Sequence, residues 1–129
     1  KLGVNSSLSS AYAGDYIARV RATTDPRIVI PGAIYGQGYR ELTSHCFAYI
    51  HATEVGGTHP ALIEAMGRGA LTLYLDTPEN SEVAGGAAIP FTSDLTAKMQ
   101  MVLDMTDEER ALIRRWFETG AATHRADER

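Results

Sequence analysis

Cysteine is almost absent from this chain of 129 residues: Cys46 is the only one. A single thiol cannot make a disulfide within the chain. This excludes a small scaffold stapled by cystines and predicts a reducing, cytoplasmic setting. Cys46 sits in the apolar run Cys46-Phe-Ala-Tyr-Ile50, so its expected role is that of a small buried hydrophobe rather than a reactive thiol. Long hydrophobic runs are also missing. None is long enough to span a bilayer, and none reads as a signal peptide. Positive charge is in short supply, with 12 Lys and Arg against 16 Asp and Glu and a formal net charge of -4. That balance argues against a nucleic-acid backbone or an anionic membrane as the main partner. A local nest of backbone amides can still hold a small anion on an acidic protein.

What is present is ordinary globular material, 44% hydrophobic and 22% charged, enough for a single domain over 1–129 with its own core. Apolar runs alternate with helical patterns, which predicts an α/β fold with a mostly parallel sheet. About five strands are expected: a short or incomplete one at Leu2–Val4, then Arg27–Ile30, Cys46–Ile50, Leu71–Leu75 and Ala87–Phe91. Cys46–Ile50 is apolar at nearly every position, as a central strand covered on both faces would be. Helices are expected over Asp15–Ala22, Tyr39–Ser44 and Pro60–Met66, with a short one within Thr77–Val83. Two more close the chain. One is capped by Ser93 and carries Leu95, Met99 and Leu103. The other opens on the capping box Thr106-Asp-Glu-Glu109, with Leu112, Ile113 and Trp116 on one face. The polar stretch 121–129 is expected to fray.

The most informative segment runs from His51 to Gly69. It reads as the end of a strand, a loop with the pair Gly56–Gly57, and a helix with Glu64 one turn in. In open α/β sheets, ligands bind beyond the carboxyl ends of the strands, where loops lead into helices. Glycines let a backbone approach closely, and the first amides of a helix are free to donate. Thr58 adds a hydroxyl near the helix start, and a carboxylate at Glu64 can accept both hydroxyls of a ribose. His51, Glu54 and His59 do not have a spacing that fixes a metal geometry, so no metal is expected.

The run Gly56-Gly-Thr-His-Pro-Ala-Leu-Ile-Glu-Ala-Met-Gly-Arg-Gly69, followed by a strand, resembles the donor-binding half of retaining GT-B glycosyltransferases. Glu64-Ala-Met66 and Gly69 match that family's loop and helix. Together with Asp76-Thr-Pro-Glu-Asn-Ser-Glu-Val83, they bring the chain nearest to bacterial rhamnosyltransferase-like members. Arg27-Ile-Val-Ile-Pro-Gly32 and Tyr39-Arg-Glu-Leu42 also fit, so the resemblance covers roughly Tyr16 to Phe91. It implies a Rossmann-like, three-layer domain, the C-terminal half of a GT-B enzyme without its first strand. It also implies a nucleotide-diphospho-sugar as substrate, with neither metal nor other cofactor, in the synthesis of bacterial cell-surface polysaccharide. By this resemblance Glu64 binds the ribose, and Gly56, Gly57 and Thr58 face the sugar and diphosphate. Glu54 and His59 complete the expected donor-binding set, and the turn Gly32, Ala33, Ile34 and Tyr35 lies near the base.

Two departures bear on chemistry. The family's first glutamate falls on Gly56, with Glu54 two residues earlier and out of register. The basic pair for the diphosphate and the acceptor-binding domain have no counterpart in this sequence. The chain begins at Lys1 and is expected to be a fragment, inactive without an N-terminal acceptor domain. Its expected partners are a nucleotide sugar and that domain, with any membrane association made through regions outside this sequence. The missing first strand leaves a place that a second copy of the chain, or Leu2–Val4 shifted in register, could fill. The rival reading is a non-catalytic, regulatory nucleotide-binding module with the same fold.

Overall fold

The alternation of short apolar runs and helical segments does produce an α/β architecture. The computed structural model describes residues 2–3, 14–54 and 60–127. Among them the order is β1 (Leu2–Gly3), α1 (Gly14–Arg21), β2 (Ile28–Val29), α2 (Gly36–His45), β3 (Tyr49–His51), α3 (Pro60–Gly67), β4 (Thr72–Leu75), α4 (Pro78–Ala84), β5 (Ile89–Phe91), α5 (Leu95–Asp104) and α6 (Asp107–Asp127). The strand pairings among these residues are all parallel, but they form two sheets rather than the single sheet of about five strands expected. The chain divides into two compact units, Lys1–Arg40 and Glu41–Arg129.

In the first unit, β1 pairs with β2, Leu2 opposite Ile28 and Gly3 opposite Val29. The turn into β2 is an Asx turn. Asp25 Oδ1 accepts the Arg27 amide at 2.9 Å, and the Ile28 amide donates to the Asp25 carbonyl at 3.0 Å, with Pro26 presetting the bend. The Arg27 guanidinium also donates to both Asp25 oxygens. These side-chain bonds, then the backbone one, hold the Asp25 carboxyl below its ordinary range.

The second unit is built on a three-stranded sheet in the order β3-β4-β5. Ile50 lies opposite Leu73, and Leu73 opposite Ile89. The strand buried on both faces is therefore β4, where Thr72, Leu73 and Tyr74 are all buried, and β3 is an edge of this sheet. Leu62 and Met66 of α3, Ala84 of α4, Phe91 of β5 and Val102 of α5 complete the core.

The apolar run Cys46–Ile50 is not one strand, because its first two residues are bonded outside the ladder. The Cys46 amide closes the last turn of α2 on the Leu42 carbonyl at 2.9 Å, and the Phe47 carbonyl accepts from Arg114 of α6 at 3.0 Å. Ladder bonding begins only where the Tyr49 amide donates to the Leu71 carbonyl at 2.8 Å. Three further expectations are corrected. The residue before α5 is Asp94, not Ser93, and its carboxylate accepts from the Thr92 amide rather than capping the helix. The inward face of α5 uses Leu95, Met99 and Val102, while Leu103 is 59% exposed. On α6 only Ile113 of the predicted trio packs against the core, whereas Leu112 and Trp116 face outward. The Thr106 cap is present, its Oγ1 accepting the Glu109 amide at 3.1 Å. α6 continues through Gly120 to Asp127.

Candidate functional site

The carboxyl ends of β3 and β4 lie side by side, because the ladder places His51 opposite Tyr74. Beyond β3 the chain passes through Ala52, Thr53 and Glu54, all exposed, and α3 begins at Pro60. Beyond β4 it passes through Asp76 and Thr77 into α4. α4 is tightly specified by its sequence. Thr77 Oγ1 accepts the Asn80 amide at 3.1 Å, Pro78 sits at the first position, and Gly85 ends the helix with a left-handed φ of 54°.

Glu54 is exposed at the bend leaving β3. Gly56, Gly57, Thr58 and His59 lie outside the described residues. Glu64 is in α3, its side chain 45% exposed, with Oε2 3.8 Å from Arg68 Nη1 one turn on. A pair this exposed and this long contributes little, so a hydroxyl-bearing ligand can compete for the carboxylate at low cost. Arg68 is held independently by Thr43 Oγ1, to which it donates at 2.9 Å. Glu64 thus has a cation beside it that is anchored elsewhere.

Gly32, Ala33, Ile34 and Tyr35 belong to the first unit. Gly32 takes a φ of 80°, a region that favours glycine. Ala33 and Tyr35 are exposed, and Ile34 is half-buried. His51 is buried and stacks on Tyr49, with ring centroids 6.3 Å apart. Among the described residues no group of three His, Cys, Asp or Glu side chains is placed to hold a metal ion.

Asn80 is a residue whose role the sequence reading missed. It is fully buried, and its Nδ2 donates to the Thr53 carbonyl at 2.9 Å and to the Leu75 carbonyl at 3.0 Å. The available signal was its place in Asp76-Thr-Pro-Glu-Asn80, a polar residue at the third position of a helix whose Thr-Pro start fixes its phase.

Cys46 is half-buried, and its Sγ is 3.6 Å from the Thr43 carbonyl. Burial raises its pKa above the ordinary thiol value, outweighing the opposing effects of the backbone and the Arg114 charge. Alkylation by iodoacetamide at pH 8 is expected to be at least several-fold slower in the folded chain than in urea. Equal rates, followed by mass spectrometry, would show an accessible, activated thiol.

No protein-family model, curated protein or solved structure matches the chain. The fold itself defines a parallel α/β unit whose strand ends open onto the N-terminal sides of α3 and α4.

Proposed function

We propose that this chain binds the nucleotide-diphospho-sugar donor of a retaining, metal-independent glycosyltransferase of bacterial cell-surface polysaccharide synthesis, as the Rossmann-like C-terminal half of a GT-B enzyme. The observation that carries the reading is Glu64. It is an exposed carboxylate one turn into the helix that follows a parallel strand, in a segment with the sequence Gly56-Gly-Thr-His-Pro-Ala-Leu-Ile-Glu-Ala-Met66. A ribose presents two adjacent hydroxyls, and a carboxylate offers two oxygens that accept from both. Hydrogen bonds to a charged acceptor are stronger than neutral ones. In this reading, glycosyl transfer requires a second domain to position the acceptor and cations to stabilise the leaving diphosphate. The 129-residue chain is then a binding half, not a complete catalyst.

Calorimetric titration with UDP, GDP and dTDP tests this. One of the three is expected to bind, and Glu64→Ala is expected to weaken it roughly tenfold, about one charge-assisted hydrogen bond net of water. Glu64→Gln keeps shape and one acceptor and should fall between. Absence of binding by all three, or equal affinity of wild type and Glu64→Ala, would overturn the reading.

A further inference from the structure

Asn80 is held from both ends. Its backbone amide is fixed to Thr77 Oγ1, so the side chain leaves α4 from a defined point. From there Nδ2 reaches two carbonyls on different strand exits, Thr53 beyond β3 and Leu75 at the end of β4. Ladder pairing between these strands ends at His51 and Tyr74, so the carboxamide ties them together just past their last paired residues. The Oδ1 atom is buried without a hydrogen-bond partner among the described residues. An unmatched buried acceptor is destabilising, and an apolar side chain of similar volume would fill the space without that cost. Packing alone therefore gives no reason for an asparagine here, whereas the two donations do.

We propose that Asn80 is a positioning residue. It sets where the chain leaves β3, and so where Glu54, a candidate donor-binding residue, stands. It acts through the Thr53 carbonyl. The ligand in this inference rests on the donor-site reading, but the tie between the strand exits does not.

The experiment uses the isotope-labelled full chain. In the wild type, the Asn80 side-chain amide protons are expected to exchange with solvent at least tenfold more slowly than those of a free asparagine. Asn80→Asp keeps the shape but turns an acceptor toward both carbonyls. It is expected to shift the amide resonances of Thr53 and Glu54 and to weaken nucleotide binding about tenfold, using whichever of UDP, GDP and dTDP the wild type takes. Asn80→Ser, with one hydroxyl donor, should lie between, and it serves if Asn80→Asp does not fold. Val102→Ala, a cavity in the α5 face of the core, is the control. At a comparable loss in Tm it should leave binding within twofold. The proposal is overturned by unprotected Asn80 amide protons, by unmoved Thr53 and Glu54 resonances, or by Val102→Ala weakening binding as much as the Asn80 variants. If the wild type binds none of the three nucleotides, the donor reading falls. The exchange rate and the Thr53 and Glu54 resonances then still decide whether Asn80 sets the strand exit.

Discussion

Leu73→Ala is expected to lower the free energy of unfolding by about 3 kcal/mol, within the usual range for a buried leucine. Leu73 is 1% exposed at the middle of β4, with Ile50 and Ile89 as its neighbours on the two flanking strands. Thr72 and Tyr74 on either side of it are also buried, so β4 is covered on both faces. The cost has two parts: the lost transfer energy of the removed carbons, and the cavity that a strand pinned on both edges cannot close by collapsing. Leu103→Ala is the matching contrast, because the same atoms are removed from a side chain 59% exposed, and the change there should be under about 0.5 kcal/mol. Urea denaturation followed by far-UV circular dichroism measures both. A Leu103 effect equal to the Leu73 effect would mean that α5 presents the other side to the core.

That contrast also shows what the sequence could and could not disclose. The run Leu71–Leu75 is apolar between clear helix stops, and β4 forms within it. Thr106-Asp-Glu-Glu109 carries its cap in the residues themselves, and that cap is present; the short helix expected within Thr77–Val83 forms as α4, with a cap at Thr77 that the structure adds. The α5 face was ambiguous because Leu95 and Met99 are compatible with either Val102 or Leu103, seven and eight residues after Leu95. Both spacings fall near two helical turns, and only tertiary packing selects Val102. Cys46–Ile50 departs from the expected strand for another reason. Its apolar composition is real, but arginines from α6, far along the chain, engage Phe47, and no local pattern encodes that. Of the candidate site, the helix that carries Glu64 is legible in the sequence and present, whereas Gly56–His59 lie outside the described residues. Asn80 was not legible as a tie, because the carbonyls it bonds are 27 and 5 residues away and a carbonyl has no sequence identity.

The engagement of Phe47 leads to the second large expected effect. Arg110→Ala should cost about 2 kcal/mol, and the sources can be ranked. The Arg110 guanidinium donates to the Val102 carbonyl at 3.2 Å and to the Met105 carbonyl, both at the C-terminal end of α5, where helix carbonyls lack partners within the helix. It also lies over the Phe47 ring, 4.8 Å from the centroid, and pairs with Asp107. The Asp107 pair contributes least, because that carboxylate is 94% exposed and screened by solvent. The carbonyl bonds contribute most, because the Arg110 side chain is only 16% exposed and its charge strengthens them. The ring contact adds about 0.5–1 kcal/mol. A double-mutant cycle with Phe47→Leu should return a coupling of that size, and Asp107→Asn should change stability by less than about 0.5 kcal/mol. Arg110→Lys should recover less than half of the loss. A single ammonium keeps the charge, but it lacks the planar guanidinium that sets one nitrogen on both carbonyls, the other on Asp107, and its face over the ring. Full recovery by lysine would mean that charge at the end of α5, and not the shape of the guanidinium, holds α5, α6 and the approach to β3 together.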